Sequence, residues 1–383
     1  MSIIIFLIIL AVLILVHEFG HFIVAKKSGI RVDEFGLGFP PKIFGKKFGG
    51  TLYSINAIPF GGFVKIFGED PVVEVDVAKS TLPEDAHQLH YGTSPPDDKS
   101  ESFYYKPKWI QALVLVAGVS MNIIFAWLLI SLGFFIGLPS PVGHSGFGTV
   151  QNSHLVITEV LPSSPAEKAG LKSGDIINIV SSKGDFALGQ DLSPQNVQSI
   201  INDGDGKVEI NYTRGNNYLG HVSLQTDNTI VSGKKAIGIA MDNIGTLKLP
   251  IHLALIQGAL TTYLLTKSTV VGLGGFLWQI ITFKSDFSQV SGPIGIVGVV
   301  SDAQTLGFVY LLSIIALISI NLAVINILPF PALDGGRLLF IIIEFIIQKP
   351  ISPSFVKRAN LIGFSFLIIL MLVVTGHDIL KLL

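Results

Sequence analysis

Residues 3–25 read IIIFLIILAVLILVHEFGHFIVA and are followed by Lys26 and Lys27. A helix needs roughly 20 apolar residues to cross the hydrocarbon core of a bilayer, and the run from Ile3 to Val16, resumed from Phe22 to Ala25, supplies them. His17, Glu18 and His21 interrupt it. A cleaved signal peptide would carry Lys or Arg ahead of the run and a small-residue cleavage site behind it, and neither is present. Ionisable groups inside a span cost on the order of kilocalories each and persist mainly where they face a polar site, so three together call for compensation. At about 1.5 Å rise per residue, His17 falls a few ångströms inside the cytoplasmic edge of a core about 30 Å thick.

Working outward, the chain has 383 residues, of which 49% are hydrophobic and 14% charged, too apolar for a purely cytosolic enzyme. Lys and Arg number 26 against 27 Asp and Glu, so there is no basic footprint for nucleic acid. The absence of cysteine excludes disulfides, iron-sulfur clusters and thiolate zinc sites, leaving His and carboxylates to hold any metal. Three more uncharged windows read as spans: residues 110–138, 306–328 and 359–375. Leu338 to Ile347 is short and carries Glu344, and reads as re-entrant or interfacial. Lys26, Lys27, Lys42, Lys46, Lys47, Lys106 and Lys108 follow the first span, and Lys349, Lys357 and Arg358 precede the fourth, which predicts that both loops are cytoplasmic. The polar, glycine-punctuated residues 143–245 then form a soluble exterior domain. Between 249 and 283, Lys267 separates two uncharged stretches that also contain His252, Gln257 and Gln279. A single crossing there would carry the end of span three to the face opposite His17 and His21, so the segment is expected to be amphipathic and interfacial, with two extra crossings, which preserve parity, as the alternative.

His17-Glu18-Phe19-Gly20-His21 is an H-E-x-x-H motif: histidines at i and i+4 share a helix face and can bind one zinc ion, with Glu18 about 100° round the helix. Catalytic zinc usually takes three protein ligands and keeps a fourth position open, so the chain must bring one more from elsewhere. Asn326-Ile-Leu-Pro329-Phe-Pro331-Ala-Leu333-Asp334-Gly335-Gly336 lies at the cytoplasmic end of span three, where the prolines break the helix and the glycines permit close approach. Asp334 is the candidate. Zinc lowers the pKa of a bound water toward about 7 and polarises a carbonyl, while a carboxylate moves the proton to the leaving amine.

These elements resemble the site-2 protease family of intramembrane zinc metalloproteases, of the bacterial RseP and RasP type. The resemblance extends to Gly36-Leu37-Gly38, to Ile58-Pro59-Phe60-Gly61-Gly62-Phe63-Val64-Lys65, to Lys106-Pro107-Lys108-Trp109 with Ala117-Gly118 and Asn122, and to Gly292-Pro293-Ile294-Gly295. The chain departs from the family's Ala-Gly-Pro-x-x-Asn pattern by placing Val119 after Gly118. The resemblance implies an endopeptidase that cuts single-span membrane proteins or remnant signal peptides, with Zn2+ on His17, His21 and Asp334 and Glu18 as general base. It also implies an α-helical polytopic membrane protein of about four spans with a re-entrant β-rich loop and an inserted exterior α+β domain. Thr51 to Ala57 alternates like a strand, and an exposed edge in this loop could take up an extended substrate by main-chain pairing. Asn326, Gly36 and Gly38 are the expected substrate contacts, whereas Asn122 is expected to make an interhelical bond. Glu344 has no assigned role.

Residues 155–177 look like a PDZ domain of the bacterial membrane-protease kind, with a strand, a turn at Pro162, a short helix from Pro165 to Ala169 and a Gly174-Asp175 turn. Such domains bind chain termini by strand addition, and the domain could equally act as a steric filter. Only one such unit fits. The expected organisation is therefore a first span with the motif (1–30), a β-loop (31–68) and a Pro- and Asp-rich cytoplasmic insert (69–108). A second span (109–138), the PDZ domain (143–245), an interfacial segment (249–300) and the third and fourth spans (305–383) complete it. The expected partners are transmembrane substrates, the lipid bilayer and a peptide ligand of the PDZ domain, with no nucleic acid; the expected location is the bacterial inner membrane, with the active site near the cytoplasmic side. A catalytically inactive binder of membrane peptides is the alternative. Intact Glu18 argues against it, and the absence of ionisable residues from spans two to four argues against a metal transporter.

Overall fold

Among the described residues, four helices are long and apolar enough to cross a membrane: α1 (Ser2–Lys27), α2 (Lys108–Ile136), α7 (Phe308–Asn326) and α9 (Pro353–Leu382). The computed structural model describes residues 2–69, 99–144, 146–215, 218–231, 233–282 and 292–382. Each expected span is thus a helix, and in lipid no other single-segment conformation satisfies the backbone internally. The chain is an integral membrane protein.

Two compact units divide the chain. The first comprises Met1–Ala126, Thr262–Gly298 and Ile315–Leu383. Here α1 ends in a Schellman turn: Gly29 adopts φ +66°, Ile30 N–H bonds Ala25 O at 2.9 Å and Gly29 N–H bonds Lys26 O at 3.2 Å. Ile30 and Ala25 are both buried, in a cluster with Val32, Ile66, Phe103, Val114, Leu115 and Ile341, so the turn aims the next strand into the core beneath α1. That strand, β1 (Val32–Phe48), pairs with β2 (Thr51–Ile66) across the glycine turn at Gly49 and Gly50. The pairing is doubled. Phe35 faces Val64 on one side and Tyr53 on the other, while Lys46 also faces Tyr53. The two strands therefore fold into four rungs ordered 62–66, 32–37, 51–56 and 42–48, whose outer edges are the first and the last.

The expected re-entrant piece is α8 (Asp334–Ile347), 14 residues long. It stops at Gln348, whose φ is +57°, and Glu344 finishes it: its carboxylate accepts from Ile351 N–H at 2.9 Å and pairs with Lys108 Nζ at 2.6 Å. Of the expected 69–108 insert, residues 70–98 lie outside the described residues. Its end is tied back to the hairpin, with Phe103 N–H bonding Phe67 O at 2.9 Å.

The second unit comprises Trp127–Thr261 and Val299–Ile314. The short β3 (Leu138–Pro141) opens it, followed by β4 (Gln151–Val160), α3 (Pro165–Lys168), β5 (Ile176–Ser182), β6 (Asp185–Leu188) and α4 (Pro194–Asp203). Then come β7 (Lys207–Arg214), β8 (Tyr218–Gln225), β9 (Asp227–Val231), β10 (Lys234–Ala236) and β11 (Ile239–Leu247). The sheet runs β3-β11-β4-β5-β7-β8, with β6 beside β5 and a separate β9–β10 pair. Strand alternation, shifted in β5 by an irregularity between Ile177 and Ile179, sends Leu155, Ile157, Ile177, Val180, Val208 and Ile210 inward onto Val197 and Ile201 of α4. Ser164 caps α3 through Glu167 N–H, and Ser193 caps α4 through Asn196 N–H, each at 3.2 Å. The fully buried Asp175 of the Gly-Asp turn accepts from Arg214 Nε at 2.6 Å and Nη2 at 2.7 Å, and from Lys172 N–H at 2.8 Å. That pairing holds the guanidinium above its ordinary pKa.

The segment expected to be interfacial resolves into two helices: α5 (Ile251–Ile281), 31 residues continuous through Lys267, and α6 (Pro293–Leu306). Neither is among the four spanning candidates.

Candidate metal centre

The i, i+4 spacing puts His17 and His21 on one face of α1, and both are buried. Their ring centroids are 4.8 Å apart. Two glycines make room for them. At Gly20 of α1 a Cβ would lie 2.8 Å from Ala117 C and 2.9 Å from Gly118 Cα, so α1 and α2 cross at backbone contact. At Gly118 a Cβ would lie 2.6 Å from His21 Cε1 and 2.9 Å from His17 Cε1, so the imidazoles occupy the space a side chain would fill. The expected Ala117-Gly118 pair thus has a steric reason. Val114, Gly118 and Asn122 follow at helical spacing on that stripe of α2. Val114 O accepts from His21 Nδ1 at 2.8 Å, which makes Nε2 the ring nitrogen turned toward a metal.

Asp334 arrives from the other end of the chain. After α7, Pro329 and Pro331 prevent helix continuation, Ala332 takes φ +76°, and Asn360 of α9 fixes the bend by accepting Ala332 N–H at 3.1 Å. Gly336 packs its Cα where a Cβ would lie 2.6 Å from Phe330 C, which folds the loop tightly and starts α8 at Asp334. The carboxylate consequently sits in the first turn of a helix, where the dipole favours it. Asp334 Oδ2 lies 2.9 Å from His17 Nε2 and 3.2 Å from His21 Nε2, across 317 residues of sequence, and the two ring nitrogens are 3.2 Å apart.

This triangle fits zinc. Ligands at about 2.0–2.1 Å in a tetrahedron are separated by about 3.3–3.4 Å, and the three donor atoms come within a few tenths of that spacing before any ion draws them into place. The set of two imidazoles and one carboxylate, with no fourth ligand in the group among the described residues, matches a catalytic rather than a structural site.

A cavity of about 210 Å³ opens onto the triangle, lined by His17, Glu18, Asp334 and Asn326 with Ile14 and Leu322 among its apolar walls. Glu18 and Asn326, separated by most of the chain, therefore face one space. Glu18 Oε2 also accepts the N–H of Val64 at 3.0 Å, and Val64 belongs to the outer rung of the hairpin. Sequence reading had no signal for that contact, because which rung would be an edge depends on the doubled pairing. Gly36 and Gly38 do not line the cavity. Gly36 is on an inner rung, paired with Phe63 and Ser54, and Gly38 backs onto Ile58 O with φ +80°. Asn360 is a supporting residue that sequence reading missed, and Val64, named within the Ile58–Lys65 motif, had no expected role.

The family model for peptidase family M50 matches residues 5–370. A Clostridium perfringens relative is 34% identical over 385 residues, covering 99% of this chain and 98% of its own. The regulator of sigma-W protease RasP of Bacillus subtilis is 30% identical over 441 residues, covering 100% and 99%. The zinc metalloprotease RasP of Bacillus licheniformis is 29% identical over 439 residues, again covering 100% and 99%.

Proposed function

The chain belongs to peptidase family M50 and is an intramembrane zinc metalloprotease of the site-2 type, and on that premise we propose that His17, His21 and Asp334 hold the zinc and Glu18 is the general base. The convergence of three donor atoms within 3.2 Å of one another, from positions 317 residues apart, carries this assignment. Zinc in such a site supplies a Lewis acid for the scissile carbonyl and acidifies a water. Glu18, in the same cavity, would take a proton from the attacking water and pass it to the leaving amine. Asn326 has an amide at the cavity wall with which to hold the substrate backbone. The inactive-binder alternative is not favoured, since base and ligands are all intact.

A substrate helix must open before its peptide bonds are accessible. The rung at 62–66 is an edge, and it is the rung whose Val64 N–H reaches Glu18, so an extended substrate added there would run past the base. Gly36 and Gly38 then shape the hairpin rather than touch substrate. The second unit is read as a single PDZ domain. In support, α4 and the start of β11 flank a cavity of about 340 Å³ lined by Gln198, Ile201, Ile237, Gly238 and Ile239, where a chain terminus could add as a strand. The lysines between α1 and α2 and the basic residues between α7 and α9 support a cytoplasmic placement for the metal end, an exterior PDZ domain, and α5 lying in the interface.

The test is cleavage of a tagged single-span substrate in membranes by wild type, Glu18→Gln and Asp334→Ala, with and without a zinc chelator. Cleavage by wild type alone, abolished by chelation, is expected. Undiminished cutting by Glu18→Gln would remove Glu18 from the mechanism.

A further inference from the structure

Asn122 is fully buried in α2, one helical turn beyond Gly118, and its side-chain amide lies 3.4 Å from His17 Nδ1. Its backbone carbonyl is fixed from a third helix, Ser319 Oγ of α7 donating to Asn122 O at 2.9 Å. With Nδ2 turned to the ring, Oδ1 is buried without a partner among the described residues. The two ends of a carboxamide have nearly the same shape, so either can face the imidazole, and the orientation with Nδ2 at the ring leaves Oδ1 buried and unsatisfied among the described residues. That orientation is therefore not held by a bond from Oδ1, and the ring decides which end faces it. His17 Nε2 is the atom directed at Asp334 Oδ2, 2.9 Å away. A ligating Nε2 carries no proton, so the neutral ring must carry it on Nδ1, and an Nδ1–H needs an acceptor.

Resting on the ligand assignment above, we infer that Asn122 is a positioning residue of the metal site: its Oδ1 accepts His17 Nδ1–H, fixing the tautomer and rotation that leave Nε2 free for the metal. It is the counterpart of Val114 O, which does the same for His21 at 2.8 Å. One stripe of α2 thus serves both rings, with Val114 orienting the first, Gly118 admitting the pair and Asn122 orienting the second. The acceptor for His17 comes from position 122 because His17 lies one turn of α1 away from His21, the ring that Val114 O serves.

The test is zinc affinity of the purified full-length protein, measured by competition with a chromophoric chelator, alongside thermal unfolding of the zinc-free chain. Loss of an outer hydrogen-bond partner of a ligating histidine weakens metal binding by about 10- to 100-fold, and that is the loss expected for Asn122→Leu. Asn122→Asp, an acceptor of nearly the same shape, is expected to bind zinc at least as tightly as wild type. A merely structural role would move the unfolding of the zinc-free chain and not separate these two variants in zinc affinity. Wild-type affinity in Asn122→Leu, or a loss of tenfold or more in Asn122→Asp, would overturn the inference. Should Asn122→Leu fail to fold, the Asn122→Asp arm decides by the same criterion. His17→Ala is the control for the underlying assignment: if it binds zinc as wild type does, the ligand set itself is wrong, whereas its loss beside an unaffected Asn122→Leu condemns the role of Asn122 alone.

Discussion

Adding a single methyl at residue 118 tests whether the crossing of α1 and α2 sets the metal geometry. In Gly118→Ala the new carbon would lie 2.6 Å from His21 Cε1 and 2.9 Å from His17 Cε1. Carbon contacts settle near about 3.5 Å, so the His21 ring must retreat by roughly 0.9 Å and the His17 ring by roughly 0.6 Å. Neither has a free direction: His21 is bonded to Val114 O on the same helix, and both rings sit against Asp334. Zinc tolerates ligand-distance errors of only about 0.2 Å, and a misplacement of about 1 Å at a reacting centre costs on the order of 100-fold in rate. The expected result is a fall of about 100-fold in substrate cleavage, about 2.7 kcal/mol, with substoichiometric zinc in the purified protein. Helix propensity favours Ala over Gly by roughly 0.5–1 kcal/mol, so α2 itself is not the casualty. Gly376→Ala is the matched control, since a Cβ there meets nothing within 4 Å, and it should cleave as wild type does. If Gly118→Ala cleaves within threefold of wild type and keeps its zinc, the close-approach reasoning fails.

Two further predictions concern the supports. Asp378 of α9, buried, accepts from Gly292 N–H at 3.1 Å and Gly295 N–H at 2.8 Å, capping α6 from a distant helix. Asp378→Ala should cost about 1–2 kcal/mol, as N-cap losses do, and raise amide exchange in α6 roughly 5- to 30-fold; unchanged exchange would deny the cap. In the second unit, Arg214→Ala leaves the buried Asp175 carboxylate with Lys172 N–H as its remaining bond. A cost of about 3 kcal/mol is expected, at the low end for a broken buried pair because Arg214 is part exposed. Amide exchange in β5 and β7 of the full-length protein should rise on the order of 100-fold, and a rise under threefold would count against the pair's role.

The spans and the grouping of His17, His21 and Asp334 were legible in the sequence because each leaves a local mark. Apolar length marks a span, and His17, Glu18 and His21 violate an apolar run in a way that demands a partner, which Asp334 at a broken helix end supplies. The hairpin was legible from Thr51 to Ala57 as a strand, but its doubled rungs were not, because a strand can fold back on itself without changing its alternation. Gly36 and Gly38, the expected substrate contacts, lie on an inner rung and its bend, a placement that depends on the doubled pairing. Asn122 and Glu344 were visible as polar residues in apolar surroundings, yet their partners, His17 and Lys108, depend on helix crossings that no periodicity encodes. Asp378 escaped notice because it falls just beyond the apolar window, although a carboxylate near the end of an apolar helix and a Gly-Pro-x-Gly helix start elsewhere were both on view.

The central claim is that two histidines of the first span and an aspartate from near the far end of the chain form one zinc site. Zinc stoichiometry of the purified full-length protein, read with zinc K-edge absorption, tests it most directly. One zinc per wild-type chain is expected, with imidazole nitrogen and carboxylate oxygen ligands, and loss of that zinc in Asp334→Ala. A full equivalent of zinc held by Asp334→Ala with an unchanged absorption spectrum would contradict it.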